Sequence, residues 1–220
     1  MTLSSLPVGS HQCLCSRTAH ASKLVVLTGG PGGGKTAILE LARKYFCRHV
    51  ILLPEAASIV FSGGFPRLET GTGHRASQMA IFRVQREMER LALADKPAII
   101  LCDRGTVDGL AYWPSSRQAF FRGVETTMRQ ELGRYAAVVH IETAPLSAYT
   151  KNTIRHESPH QADEINERLK KAWQSHPNRF LIHSSGNFLE KAGAALEVIR
   201  NQVPACCRTH SHNGSLVVGI

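Results

Sequence analysis

A glycine-rich stretch followed by lysine and threonine is the part of the sequence best suited to chemistry. It runs Gly29-Gly-Pro-Gly-Gly-Gly34-Lys35-Thr36 and fits in full the pattern of glycine, four residues, glycine, lysine and Ser/Thr. Glycines let the backbone curl so that its amides converge on phosphate oxygens, because no Cβ stands in the way. An apolar run precedes the stretch and a helical pattern follows it, as a phosphate-binding loop requires.

This P-loop predicts roles for its individual residues. The Lys35 ammonium would reach the β- and γ-phosphates, and the Thr36 hydroxyl would bind Mg²⁺. The helix that begins near Lys35 adds the positive end of its dipole. The sequence therefore predicts binding of a nucleoside triphosphate, ATP or GTP, together with Mg²⁺. The residues expected to bind the nucleotide are Gly29, Gly30, Pro31, Gly32, Gly33, Gly34, Lys35, Thr36 and Ala37.

Two acidic residues follow apolar runs elsewhere in the chain. Asp103 comes directly after the run 98–102, where a P-loop protein needs a carboxylate for its Mg²⁺. Glu55 follows the run 50–53 and could accept a proton from an acceptor hydroxyl or bind Mg²⁺ through water. Arg104 could clamp a substrate oxyanion with its planar guanidinium. Alternatively, Asp103 caps the next helix and Glu55 favours a helix first turn by its charge.

The apolar runs predict the elements that position these residues. The runs are continuous rather than alternating, which is typical of parallel strands buried on both faces. Strands alternating with amphipathic stretches indicate a doubly wound α/β domain. We predict strands at 24–28, 50–53, 98–102, 136–141 and 180–182, and helices at 35–46, 73–94, 118–135, 161–175 and 188–203.

Composition limits the class of protein. The chain has 220 residues, of which 43% are hydrophobic, and this argues for one folded domain and against intrinsic disorder. No run of about 18 apolar residues occurs, so no transmembrane segment is expected. The first 22 residues lack a long apolar stretch, and we predict a cytoplasmic protein. The expected organisation is a flexible extension over 1–22, a nucleotide-binding domain over 23–203 and a tail over 204–220.

Most of the cysteines lie in the two ends of the chain, with His11, His20, His210 and His212 near them. Cys13 and Cys15 are separated by one residue, and Cys206 and Cys207 are adjacent. Zinc-binding pairs of cysteines are usually separated by roughly two to four residues. The spacing therefore argues against a metal site formed by these residues.

Further motifs complete a resemblance to a known family. With the P-loop, they resemble an AAA-like ATP-binding domain family that is similar to the nicotinamide riboside kinase domain of bacterial NAD regulators. More distantly, they resemble thymidylate and deoxynucleoside kinases. The resemblance covers about residues 23–202. Its motifs are Pro54-Glu-Ala-Ala57, Arg83-Val-Gln85, the segment 103–112 that begins Asp103-Arg104-Gly105, Tyr149-Thr-Lys-Asn152, Arg155-His-Glu157 and the segment 166–177.

The resemblance implies a P-loop NTPase three-layer sandwich, an α/β fold with a mostly parallel five-stranded sheet and helices on both faces. It also implies a mobile lid at about 150–161. Arg155 and Arg168 match lid arginines that stabilise charge on a transferring phosphoryl group. Alternatively, they belong to a solvated basic helix face. Asn166 stands where the family pattern has aspartate, and a neutral amide could not orient Arg168 by charge.

Two functions remain open at this stage. The first is a kinase that transfers the γ-phosphoryl group to an unidentified small-molecule acceptor. The second is a nucleotide-controlled switch that binds a protein or an anionic phospholipid. The excess of basic over acidic residues within 23–203 favours it, as do eukaryotic relatives of the family that are described as GTP- and phospholipid-binding proteins. Nucleic acid is not an expected partner, because the few aromatic residues are not interleaved with basic ones. The guanine-reading motif Asn-Lys-x-Asp is absent, so the choice between ATP and GTP stays open.

Overall fold

Five parallel strands form the centre of the molecule. The computed structural model describes residues 8–10, 13, 15–143, 159–183 and 187–208. The strand order is β2-β3-β1-β4-β5, and every neighbouring pair is parallel. This confirms the predicted α/β class with a parallel sheet. The strands are β1 (Lys23–Thr28), β2 (Val50–Leu53), β3 (Ile99–Asp103), β4 (Tyr135–Ile141) and β5 (Arg179–Ile182).

Helices connect the strands and cover both faces of the sheet. Asp103 is the last residue of β3, and a 3₁₀ turn at Thr106–Asp108 follows it closely. The helices of the described residues are α1 (Lys35–Tyr45), α2 (Ala56–Ser62), α3 (Gly71–Ala94), α4 (Gly109–Tyr112), α5 (Arg117–Gly123), α6 (Met128–Leu132), α7 (Pro159–Trp173), α8 (Phe188–Gln202) and α9 (Ala205–Arg208).

Successive residues of β1 divide the core into two halves. Val25 and Leu27 pack in the cluster that contains α1 and α8. Leu24 and Val26 pack in the opposite cluster, with residues of α3 and α7. Burying one such side chain stabilises the fold by about 1.5–3 kcal/mol. A strand buried on both faces accounts for the continuous apolar run in the sequence.

One predicted helix is wrong. The segment 118–135 forms two short helices, α5 and α6, and Tyr135 begins β4. Between the helices, Glu125 has a left-handed backbone with φ of 58°, which interrupts helical geometry. The Thr127 hydroxyl then caps α6 by accepting a hydrogen bond from the amide of Gln130 at 3.2 Å.

A buried ionic network supports the turn after β3. Glu89 of α3 and Glu131 of α6 are fully buried, and both bind the guanidinium of Arg134. Burial raises the pKa of Glu89, and the charge of Arg134 opposes that rise. The Glu131 carboxylate also accepts a 2.7 Å hydrogen bond from Thr106, so the network holds the start of the 3₁₀ turn.

The described residues of both ends lie against the domain. Val8 forms an isolated antiparallel bridge with Ile51, and Cys15 and Cys207 are buried in the core cluster beside α1 and α8. The boundaries at residues 22 and 203 stay predictions. Within the described ranges, no helix is long and apolar enough to cross a membrane.

Candidate nucleotide and acceptor site

Glycine is required at two points where the P-loop leaves β1 and enters α1. Gly29 has φ of 137°, and a Cβ there would lie 2.0 Å from the carbonyl oxygen of Ile141. Gly34 has φ of 89° and immediately precedes α1. Because other residues rarely adopt these angles, the glycines fix the loop's curvature.

The side chain of Lys35 lies against the P-loop that precedes it. Its Nζ donates hydrogen bonds to the carbonyl oxygens of Gly29 at 2.9 Å and Gly30 at 3.0 Å. Burial, together with the nearby charge of Arg104, lowers the pKa of Lys35 to about 7. An anion near Nζ would favour the charged ammonium, so the lysine is suited to binding phosphate oxygens.

Asp103 has an unused oxygen atom at the carboxyl end of β3. Its Oδ1 is buried and has no hydrogen-bond partner among the described residues. Burial and the charge of Glu55 raise the pKa of Asp103 to about 6. Thr36 is exposed in the first turn of α1. Carboxylate and hydroxyl oxygens are ligands that Mg²⁺ accepts, and the unpaired Oδ1 fits such an ion.

Arg104 connects the carboxyl ends of two strands. Its Nε donates to Glu55 Oε1 at 2.6 Å, and its Nη1 donates to Asp108 Oδ2 at 3.2 Å. Nη1 also lies 3.4 Å from the carbonyl oxygen of Gly29 in the P-loop. The residue has φ of 71°, an unusual angle outside glycine that concentrates at functional sites.

Asp108 binds Arg104 and is itself held by two further hydrogen bonds. Its Oδ2 accepts a 2.8 Å hydrogen bond from the Thr28 hydroxyl, and its Oδ1 accepts a 2.6 Å bond from Trp173 Nε1. The sequence placed Asp108 only within the family-like motif at 103–112. Its position four residues after Arg104 was the available signal for an ion pair.

Glu55 occupies the N-cap position of α2 and is a paired carboxylate. It precedes α2, but its side chain makes no capping hydrogen bond. Its oxygens instead accept hydrogen bonds from Arg104 and from the Ser58 hydroxyl, both at 2.6 Å. Burial acts to raise the pKa of Glu55, but the charge of Arg104 and the Ser58 hydrogen bond hold it below its usual value. Glu55 is therefore ionised at neutral pH.

A cavity of about 360 Å³ opens beside these residues. Pro31 of the P-loop, Glu55, Arg104 and Asp108 all line it. Its volume lies in the range of small-molecule sites. The remaining walls that bear on ligand chemistry are aromatic or apolar at Phe61, Ile81, Phe82 and Tyr112, and polar at Arg67, His74, Ser77, Gln78 and Gln85.

Of the polar cavity residues on α3, the sequence pointed only to Gln85, within the motif Arg83-Val-Gln85. Ser77, Gln78 and Gln85 are buried and line the cavity. They occupy the same helix face as the buried Phe82. Polar side chains on that face were the available signal, because buried polar groups need a partner.

Asn166 and Arg168 lie close together on α7 but have different surroundings. The Asn166 carbonyl oxygen accepts hydrogen bonds from the Gly30 amide at 3.2 Å and from His140 Nε2 at 3.1 Å. Asn166, which replaces the aspartate of the family pattern, therefore holds the Gly30 amide of the P-loop. Arg168 bonds to Glu164 at 2.6 Å and lies 3.4 Å from the Ala111 carbonyl oxygen.

The predicted lid lies largely outside the described residues. Arg155 belongs to the segment 144–158, which the structure does not describe. Residues 184–186, in the loop after β5, are also outside the residues that the structure describes. The phosphate-stabilising roles of Arg155 and Arg168 stay predictions.

Known protein families and solved structures resemble this chain in sequence pattern and in fold. The sequence profile of the AAA domain family matches residues 24–191, so the chain belongs to that family. Its fold is that of a P-loop kinase-like domain. Among curated proteins, none matches the chain significantly.

Solved structures of kinase-like proteins share the fold at low sequence identity. A NadR protein in complex with NR has a TM-score of 0.59 and 16% identity, covering 83% of this chain and 52% of its own. A NadR protein in complex with NAD and AMP-PNP gives 0.54 and 14%, covering 82% and 49%. The chain thus spans about half the length of these NadR proteins. Thymidylate kinase from Ehrlichia chaffeensis gives 0.52 and 13%, covering 81% of this chain and 98% of its own.

Proposed function

We propose that this protein is a small-molecule kinase that transfers the γ-phosphoryl group of ATP or GTP, with Mg²⁺, to a nucleoside- or metabolite-type acceptor. The cavity of about 360 Å³ beside the P-loop is the observation that carries this proposal. A nucleotide on the loop would place its terminal phosphate near that cavity. An acceptor bound in the cavity could then reach it.

The nucleotide side of the reaction uses Lys35 and the Mg²⁺ ligands. Lys35 would bind phosphate oxygens, and Thr36 and Asp103 would hold the ion. Mg²⁺ supplies positive charge that neutralises the transferring group. Phosphoryl transfer depends mainly on such positioning and charge stabilisation.

The acceptor side uses Glu55 and Arg104. Glu55 lines the cavity as a carboxylate, so it would accept a hydrogen bond from the acceptor hydroxyl and orient its oxygen for attack. As the hydroxyl oxygen bonds to the γ-phosphorus, the bond from phosphorus to the leaving nucleoside diphosphate would break and the hydroxyl proton would pass to the Glu55 carboxylate. Arg104 fixes Glu55 and presents its charge to the phosphoryl group. Asp103 remains a second candidate for orienting the hydroxyl.

The walls of the cavity favour an acceptor with a flat or apolar part and several polar groups. Phe61, Phe82 and Tyr112 offer aromatic surface, whereas Gln78 and Arg67 offer hydrogen-bond donors. A nucleoside has both features. Two of the solved structures with this fold hold NR, or NAD with AMP-PNP, which supports an acceptor of this class.

The switch function is the alternative proposal. The net charge of +9 could serve an anionic phospholipid or a protein partner. A switch, however, has no need of an open cavity beside the terminal phosphate. The cavity therefore favours the kinase.

ADP release in the presence of a panel of nucleosides and hydroxylated metabolites tests the proposal. We expect at least one acceptor to stimulate release, and Lys35→Ala to abolish the stimulation. Lys44→Ala is the matched control, because Lys44 lies exposed on the same helix. Slow hydrolysis that no acceptor changes, in folded protein, would favour the switch instead.

A further inference from the structure

Cysteine and histidine side chains from three distant parts of the chain meet beside the sheet. Cys15 and His20 precede β1, His49 precedes β2, and Cys207 lies on α9. The ligand-type atoms of these four residues all lie within 4.8 Å of one another. No spacing rule could predict this cluster, because its members are brought together only by the fold.

Three of the distances between these atoms match those of a tetrahedral metal site. His20 Nε2 lies 3.5 Å from the sulfur of Cys15 and 3.5 Å from that of Cys207. His49 Nδ1 lies 3.4 Å from the Cys207 sulfur. In a tetrahedral zinc site, Zn–S bonds of about 2.3 Å and Zn–N bonds of about 2.0–2.1 Å place nitrogen and sulfur about 3.5 Å apart.

Each of these imidazoles has a ring nitrogen that faces a thiol sulfur of the cluster. Cys15 and Cys207 are each 7% exposed, and the rings of His20 and His49 lie 4.7 Å apart. Sulfur is a weak donor and a weak acceptor. A soft divalent cation would satisfy the two nitrogens and the two sulfurs at once.

We propose that Cys15, His20, His49 and Cys207 bind one Zn²⁺ ion as a closed Cys₂His₂ site. Binding requires both thiols as thiolates, so each releases a proton, and two thiolates with two neutral imidazoles balance the charge of the ion. Cys13 and Cys47 form a second possible set with His49 and Cys207. Because both sets share His49 and Cys207, the chain would hold one ion.

The site is structural, since all four positions of the ion are filled by the protein. The site also lies at the opposite end of β2 from the candidate nucleotide site. His49 immediately precedes β2 and Glu55 follows that strand, whose four residues span about 13 Å at 3.3 Å per residue. The ion would join the N-terminal segment and α9 to the domain. Metal binding would thereby stabilise the fold.

Metal analysis of the purified full-length chain tests this proposal. We expect about one zinc ion per chain after dialysis, and a lower melting temperature after removal by a chelator. Cys15→Ser and Cys207→Ser should lose the ion. Cys102→Ala, which removes a buried thiol outside the cluster, should retain it. Metal-free protein with six titratable thiols and a melting temperature unaffected by zinc would overturn the proposal.

Cobalt provides a second measurement that needs no variant. Co²⁺ added to the chelator-treated protein should give the intense visible bands of tetrahedral coordination and a thiolate-to-metal charge-transfer band. A weak octahedral spectrum would contradict the site. Retention of zinc by Cys15→Ser with loss by Cys13→Ser would overturn the assigned ligand set.

Discussion

Glu55 and Arg104 form a 2.6 Å ion pair between the carboxyl ends of β2 and β3. Both side chains line the cavity, and Arg104 also bonds to Asp108 behind it. The pair therefore joins the cavity to the P-loop through a connected set of contacts. Residues held in this way position substrates without rearrangement during the reaction.

Glu55→Gln should lower acceptor-dependent kcat/KM by about 10²–10⁴-fold while nucleotide affinity changes little. The amide keeps the side chain's shape but cannot accept a proton. Steady-state ADP release and nucleotide titration measure the two quantities. Ser58→Ala is the control: it removes one hydrogen bond to Glu55 but keeps the carboxylate. Equal loss of nucleotide affinity and turnover in Glu55→Gln would contradict the assigned role.

Mg²⁺ affinity should fall as the pH drops through about 6. The pKa of Asp103 is raised to about 6, so the acid form, which cannot bind the ion well, predominates below that value. Titration of Mg²⁺ in the presence of nucleotide, from acid to neutral pH, measures the effect. In Asp103→Asn the affinity should be low and nearly independent of pH. An unchanged pH dependence in that variant would assign the titration to another group.

Nucleotide binding should take up a proton above neutral pH. The pKa of Lys35 is about 7, so its amine is mostly neutral there, and phosphate oxygens would raise that pKa. Calorimetry in buffers of different ionisation enthalpy counts the protons. Lys35→Met should reduce the uptake. If the wild-type protein takes up no proton, Lys35 is already charged before the nucleotide binds.

Arg134→Met should lower the free energy of unfolding by about 3–5 kcal/mol, because it leaves Glu89 and Glu131 buried without that positive partner. Urea unfolding monitored by circular dichroism gives the value. Arg83→Ala is the matched control. Its ion pair with Glu125 is exposed, and such pairs contribute about 0–1 kcal/mol. Similar losses in the two variants would argue against the buried network.

The sequence predicted the parts of the fold that depend on local pattern. The run 50–53 matches β2, and the P-loop lies between β1 and α1 as expected. The predicted helix over 118–135 was wrong because Thr127 caps a new helix there. Threonine side chains make several kinds of local hydrogen bond, so the residue type alone does not identify a helix cap.

Contacts between distant segments could not be predicted in the same way. The bond from Trp173 to Asp108 joins residues 65 positions apart, and the Asn166 bond to Gly30 spans 136. The cluster of Cys15, His20, His49 and Cys207 likewise brings together segments from near both ends of the chain. Pattern along a sequence reports which face a residue occupies, but it does not report which distant residue meets it.

Detection of the phosphorylated acceptor tests the central claim most directly. The protein is incubated with Mg²⁺, ATP carrying an isotopic label in its γ-phosphoryl group, and the acceptor panel, and the products are identified by mass spectrometry. We predict the labelled phosphoryl group on one acceptor, absent with Lys35→Ala and present with Lys44→Ala. Label found only in inorganic phosphate, whatever acceptor is added, would contradict the assignment as a kinase.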